Sequence, residues 1–225
     1  MKMRPFVKWI GGKRQNMDKL EPLIPNTIRH YIEPFVGGGA VLCHVANGII
    51  QGKQEINGRC YINDKCWSLI NTYQVIANDC ESLIFQMTNL ANMYADARNH
   101  RMAITGPGDI RTRRSASAPV VSYLEEAATN EEELYYYIRE KYNDLKKIDI
   151  IKLTHQQKID LAVYFIFLNK TCFRGLYREN QKTGSMNVPF GNYSTFDWGK
   201  DNILEWNMFL NEYSVVITCK DFEKC

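Results

Sequence analysis

Residues 31–64 constrain the fold of this chain more than any other stretch. Tyr31, Ile32 and Phe35 mark a short buried strand over 31–35 that runs directly into Gly37, Gly38 and Gly39. Residues 40–46 read as a helix of small and apolar side chains, and 48–58 as a polar, glycine-rich turn. Residues 59–63 read as a second strand, ending on Asp64. Beyond it Cys66, Leu69, Ile70 and Tyr73 recur at the i, i+3, i+4, i+7 spacing of a helix packed by one face. Strand, glycine turn, helix, strand is half of a doubly wound parallel sheet. Far downstream, residues 214–218 supply a further strand, closed by Asp221 and Phe222.

The same segment carries a chemical signal. A strand that ends in glycines ahead of a helix lets a ligand approach the backbone and meet the helix N-terminus. Asp64 lies 25 residues after Gly39, where an acid in such folds accepts hydrogen bonds from ribose hydroxyls. The turn does not follow the GxGxxG spacing of dinucleotide binders. By itself it is equally a tight turn with a surface aspartate and a site for a nucleotide-like ligand. Trp9, beside Gly11, Gly12 and Lys13, invites a similar pair of readings. It is a ring-stacking residue next to an anion-binding lysine, or a buried Trp on a flexible N-terminus; alone, the second is the simpler.

The middle of the chain departs from the sheet pattern. An amphipathic helix is expected at 14–24, stopped by Pro25. Residues 96–119 hold five arginines (Arg98, Arg101, Arg111, Arg113, Arg114), two glycines and two prolines with little periodicity, which predicts a long mobile loop. Thr129-x-x-Glu132 and Thr154-x-x-Gln157 are capping-box signatures. Helical patterns follow each, at Leu134, Ile138, Tyr142, Leu145 and at Ile159, Ala162, Val163, Ile166. The acids Glu125, Glu126 and Glu131 to Glu133 read as a solvated helix start.

Residues 169–193 read NKTCFRGLYRENQKTGSMNVPFGNY. Lys170, Arg174, Arg178 and Lys182 stand against the single acid Glu179, with Phe173, Tyr177, Phe190 and Tyr193 among them. Gly175, Gly184, Gly191 and Pro189 rule out one continuous helix. Basic groups interleaved with aromatics on a glycine-punctuated loop suit a phosphate backbone and stacked or extruded bases. A net charge of +3 is too small to identify a nucleic-acid partner; its clustering here is the informative part. Seven cysteines without CxxC pairs predict reduced thiols, a cytoplasmic setting and no metal site. The N-terminus lacks the apolar run of a signal peptide. No stretch approaches the roughly 18 apolar residues of a membrane span, so no membrane partner is expected.

Four segments, PFVKWIGGKRQ, YIEPFVGGGAVL, NDKCWSLINTY and NKTCFRGLYREN…MNVPFGNY, resemble in this order the Dam-type (D12) class of adenine-N6-specific DNA methyltransferases. The resemblance spans nearly the whole chain and is weak over 78–130. It implies an α/β fold: a Rossmann-like S-adenosylmethionine-dependent methyltransferase sheet, incomplete here, formed by 1–77 and 196–225. A mainly helical target-recognition insertion would occupy 78–195. The implied reaction moves a methyl group from S-adenosylmethionine to the exocyclic amine of adenine in double-stranded DNA. The implied cofactor residues are Trp9, Lys13, Phe35, Gly37, Gly39, Asp64, Asp221 and Phe222. Of these, the glycine turn would lie under the cofactor's amino-acid part and Asp64 on its ribose, with Asp221 and Phe222 beside its adenine ring. The implied DNA contacts are Lys170, Arg174, Arg178, Asn192 and Tyr193. Many relatives carry Asn in place of Arg174, and some Arg in place of Asn192, so the recognition sequence stays open.

The family's catalytic motif, Asp or Asn followed by Pro-Pro and an aromatic residue, does not occur in this sequence. None of the seven prolines adjoins another and no Asp-Pro is present. In the family that motif accepts the hydrogens of the poorly nucleophilic adenine amine and stacks on the flipped base. No catalytic residue is therefore assigned. The expectation is a methyltransferase sequence truncated before catalysis and inactive alone, with a C-terminal methyltransferase fragment as candidate partner. The alternative is a non-catalytic DNA-binding or cofactor-binding remnant, or half of a split enzyme.

Overall fold

Short apolar runs become strands only where a partner satisfies their backbone, and each of the three strands expected from the sequence finds a parallel one. The computed structural model describes residues 2–105 and 130–224. In chain order the elements are α1 (Met17–Leu20), β1 (Thr27–Ile28), β2 (Tyr31–Glu33), α2 (Ala40–Ile50), β3 (Glu55–Ile56) and β4 (Cys60–Asn63). They continue with α3 (Trp67–Asn78), α4 (Cys80–Thr105), α5 (Glu131–Lys146), α6 (His155–Thr171), α7 (Lys200–Glu212) and β5 (Val216–Thr218). The main sheet has the order β2–β4–β5, all parallel, with Tyr31 opposite Cys60 and Ile62 opposite Ile217. Cys60 and Ile62 are buried, whereas the row formed by Ile32, Tyr61 and Val216 faces outward, with Ile32 64% exposed.

Several expectations are corrected by packing. The helix expected at 14–24 is broken into a 3₁₀ turn (Lys13–Asn16), the single turn of α1 and a second 3₁₀ turn (Glu21–Leu23) that starts around Pro22. None of these pieces buries a residue, so nothing holds a continuous helix there. The stretch 48–58 is not all turn: α2 runs on to Ile50, and β3 pairs in parallel with β1. Residues 96–105 are helix rather than loop. Leu83, Met87, Leu90, Tyr94 and Ala97 lie buried on one stripe of α4, and that stripe carries the helix past Asp96 despite its charge. The rest of the expected loop, with Arg111, Arg113 and Arg114, and Thr129, Glu125 and Glu126 lie outside the described residues.

Helix starts follow local chemistry. At α6 the expected capping box is complete: Gln157 N–H donates to Thr154 Oγ1 at 3.2 Å, and Thr154 N–H donates to Gln157 Oε1 at 2.9 Å. At α5 the cap is Asn130 instead, whose Oδ1 accepts from the backbone N–H groups of Glu132 and Glu133 at 3.1 and 3.0 Å. Glu131 is not solvated as expected; it is buried and paired with Arg98 at 3.1 Å. The core runs without a break across residue 78, because α3 packs against α4, α6 and α7. Beneath the glycine turn, Phe6, Tyr73 and Trp206 meet edge to face with centroids 4.8–5.6 Å apart.

Candidate cofactor cleft and recognition segment

The N-terminal segment reaches the site as a strap that pairs with no strand among the described residues. Asparagine side chains take the place of that strand. Asn47 on α2 accepts from Met3 N–H and donates to Met3 O, both at 2.8 Å. Asn202 on α7 does the same for Arg4, again at 2.8 Å. Asn169 near the end of α6 accepts from Lys8 N–H at 2.8 Å and donates to Lys8 O at 2.9 Å. Each pair satisfies a backbone N–H and C=O of the strap, and Arg4 O accepts in addition from the Trp206 indole N–H at 2.8 Å. The strap then turns at Gly11, in the left-handed region with φ 76, where the Lys13 ammonium donates to Gly11 O at 3.0 Å.

The glycine turn is built from the ends of β2 and β4. Val36 N–H donates to Asn63 O at 2.9 Å, and Asn63 Nδ2 donates to both Pro34 O and Lys220 O, at 3.1 and 3.0 Å. Asn63 thereby ties together the carboxyl ends of all three main strands. Asp64 braces the turn from the next residue. Its Oδ2 accepts from Gly37 N–H at 3.0 Å and its Oδ1 from Cys66 N–H at 2.9 Å. Gly37 is required because Trp9 lies flush against it: a Cβ there would stand 2.8 Å from the indole Cδ1, and one on Gly38 would stand 3.1 Å from Val7 O and 3.3 Å from Trp9 Cβ.

These parts enclose a cleft of about 810 Å³ at the carboxyl ends of β2 and β4. Trp9, Lys13, Phe35, Gly37 and Asp64, all expected at the cofactor, line it together. Gly39, Asp221 and Phe222 do not. Gly39 faces the core, where a Cβ would stand 2.5 Å from Trp206 and 2.7 Å from the Tyr73 hydroxyl. Asp221 does not converge on the cleft with Trp9, Lys13 and Asp64 as the sequence led one to expect; it pairs with Lys65 at 3.2 Å. Its carboxyl is held below the usual aspartate range, first by that hydrogen bond from Lys65. Phe222 reaches the cleft only through Phe35, with ring centroids 5.3 Å apart.

Two lining residues carry chemistry that the sequence reading did not place there. Glu33 points into the cleft from the end of β2. Burial pushes its carboxyl up to about 7, against the hydrogen bond donated by the Tyr31 hydroxyl at 2.6 Å. Lys170, expected on DNA, also lines the cleft. Burial holds its ammonium below the ordinary lysine range, and Asp197 pulls the other way. The signal that would have found Glu33 is its position, the last residue of the first main strand and four residues before Gly37.

The donor set fits a zwitterionic nucleoside-type ligand such as S-adenosylmethionine. Acids (Glu33, Asp64) and cations (Lys13, Lys170) share one cleft, and a carboxylate oxygen that already accepts one backbone N–H keeps capacity for a hydroxyl. Among the described residues no cluster of three His, Cys, Asp or Glu side chains is placed to hold a metal.

The segment 169–193 leaves α6 beside this cleft as a loose hairpin. Cys172 bridges Phe190 and Glu179 bridges Met186, both antiparallel. Arg174 sits in the left-handed region at φ 58, with its guanidinium 5.2 Å from the centroid of the Phe173 ring. Arg178 and Asn192 are exposed, and Asn192 is also left-handed at φ 53. Tyr193 is held by its backbone: its carbonyl accepts from the Tyr94 hydroxyl at 2.7 Å and from Arg98 at 3.3 Å. The Tyr193 ring lies 5.5 Å from the Lys8 ammonium. Tyr177 turns inward, stacks with Trp9 at 5.5 Å, and bonds the Tyr142 hydroxyl at 2.7 Å.

A parallel sheet, a braced glycine turn, a mixed-charge cleft and an adjoining basic hairpin together define an α/β protein. Residues 9–102 and 113–225 match the model of the D12 class N6 adenine-specific DNA methyltransferases, and the chain belongs to that family. It is 34% identical to a type II methyltransferase of Methanocaldococcus jannaschii, over 99% of this chain and 64% of that one. It is 27% identical to the DNA adenine methylase of Haemophilus influenzae, over 100% of this chain and 59% of that one. The DNA N-6-adenine-methyltransferase of Escherichia phage P1 is 30% identical over 85% of this chain but 18% of its own length. The chain thus spans less than two thirds of the length of these relatives. No helix among the described residues is long and apolar enough to cross a membrane.

Proposed function

We propose that this chain provides the cofactor-binding and target-recognition parts of a cytoplasmic adenine-N6 DNA methyltransferase acting on duplex DNA. S-adenosylmethionine would occupy the cleft, and DNA would lie against the 169–193 hairpin. The observation that carries this reading is the convergence of Trp9, Lys13, Phe35, Gly37 and Asp64 on one cleft directly beside that hairpin. On this reading residues 1–77 and 196–225 form a Rossmann-like sheet domain, and 78–195 an insertion that carries the DNA-reading residues.

The chain's own groups divide the binding work. Lys13 and Lys170 offer cations to a carboxylate, Glu33 and Asp64 offer acceptors to an ammonium and to ribose hydroxyls, and Phe35 offers an exposed ring. When bound, the cofactor supplies an activated methyl on a sulfonium. Arg174, Arg178, Asn192 and Tyr193 would meet the DNA, with the exposed arginines able to reach phosphate or a guanine edge. The family's Asp-Pro-Pro-Tyr motif is not among these 225 residues, so the reading assigns them binding and recognition and no catalytic group. Titration of the chain with S-adenosylhomocysteine tests the reading. Saturable binding that is lost in Lys13→Ala supports it, and no binding by the wild type refutes it.

A further inference from the structure

The strap that bears Trp9 is held by three asparagines, and they are not equivalent. Asn47 and Asn202 belong to α2 and α7, on the cleft's own side of the molecule. Asn169 belongs to the root of the recognition hairpin. It is fully buried, and its Nδ2, besides bonding Lys8 O, reaches Gly175 O inside the hairpin at 3.4 Å. Gly175 in turn leaves no room for a side chain, because a Cβ there would stand 2.3 Å from Lys8 Cδ. One residue beyond Lys8, Trp9 packs on Gly37 and Gly38 and stacks with Tyr177. The hairpin therefore grips the wall of the cofactor cleft at two adjacent points, the Lys8 backbone and the Trp9 ring.

We propose that Asn169 is a positioning residue that couples the two ligands: through Lys8 it transmits ordering of the hairpin by DNA to the Trp9 wall of the cofactor cleft. This rests on the functional reading above. A hairpin free to shift carries Lys8 and Trp9 with it, and the wall meets the ligand in several positions. DNA that fixes the hairpin fixes the wall, so the cofactor binds more tightly to the DNA-bound chain, and by linkage DNA binds more tightly to the cofactor-bound chain. Asn47 is a built-in control, since it makes the same kind of paired bonds to the same strap, both at 2.8 Å against 2.8 and 2.9 Å for Asn169, and makes them at Met3 rather than beside the hairpin.

The test measures S-adenosylhomocysteine affinity on the full 225-residue chain with and without a saturating random-sequence duplex pool. The wild type, Asn169→Asp and Asn47→Asp are compared, together with their melting temperatures. The aspartate keeps the acceptor for the strap N–H but sets a carboxylate oxygen against the carbonyls that Nδ2 served. The wild type is expected to bind the cofactor analogue about fivefold or more tightly with DNA present. Asn169→Asp should lose that factor, and Asn47→Asp should keep it despite a similar fall in melting temperature. Hydrogen exchange on the wild type gives a second reading that needs no variant. DNA should slow exchange at the amides of residues 8–12 and leave those of residues 2–4 unchanged. A wild-type factor of one with both ligands bound overturns the proposal, as does retained coupling in Asn169→Asp, or equal loss in Asn47→Asp. Unchanged exchange at 8–12 overturns it as well. A wild type that binds no cofactor analogue overturns the functional reading instead, and the coupling with it.

Discussion

Replacing Asp64 by Asn separates its two roles. In the structure its two carboxylate oxygens each accept a backbone N–H, from Gly37 at 3.0 Å and from Cys66 at 2.9 Å. An amide of the same shape offers one acceptor and one donor. One backbone N–H then faces an NH₂ group and is left unsatisfied. A hydrogen bond to a charged acceptor contributes about 1.5–3 kcal/mol net, and Asp64 is only partly buried, so the lower figure of about 1.5 kcal/mol applies. For a chain of this size that corresponds to a fall in melting temperature of about 3–6 °C. If Asp64 also accepts the ribose hydroxyls, cofactor affinity should fall about tenfold, the equivalent of a further 1.4 kcal/mol. Urea denaturation reads the first effect and isothermal titration with S-adenosylhomocysteine the second. Unchanged stability would refute the bracing of the glycine turn. Lower stability with unchanged affinity would leave the bracing intact and refute the ribose assignment.

Other outcomes follow from individual side chains. Glu33 has a folded-state carboxyl raised by burial from 4.5 to about 7, so its favourable contribution is complete at acid pH and is lost as pH rises across that window. Glu33→Gln should therefore match the wild type near pH 4 and exceed it above about pH 7, with a difference growing by at most about 1.4 kcal/mol per pH unit; urea midpoints across that range check it, and a variant that gains nothing at high pH contradicts the burial of this acid. Arg174 occupies a left-handed backbone position that asparagine tolerates better. Arg174→Asn should raise stability by up to about 1 kcal/mol while weakening DNA binding, and a destabilised variant would show that the side chain, not the backbone, governs this residue. Arg178→Ala, selected against a randomised duplex pool, should lose about 1–3 kcal/mol on its preferred site if Arg178 reads a base; uniformly weaker binding with unchanged preference would restrict it to phosphate.

Local sequence determined much of this molecule. The strand-forming runs at 31, 60 and 216, the glycine turn and the capping box at Thr154 are each written in residues close together in the chain, so spacing and side-chain type suffice to read them, although the pairing of 61 with 216 joins distant segments. Charge alone misled at residues 96–105: Arg98 turns inward to the buried Glu131, beside a buried stripe that reaches Ala97. Proximity in sequence misled at Asp221, which follows the last strand but turns to Lys65 on the surface and not to the cleft.

Tertiary structure alone decided what faces the cleft. Glu33 and Lys170 look like a strand residue and a DNA-reading lysine in the sequence, and only the fold brings them into one cleft with Trp9 and Asp64. The same holds for Asn47, Asn169 and Asn202, scattered over 155 positions, which read as ordinary helical asparagines until their paired bonds to one strap are seen. A hydrogen bond to a backbone group leaves no periodicity in the sequence. The partner of such an asparagine is set by which helices the hydrophobic core brings alongside the strap, and that is a property of the whole chain.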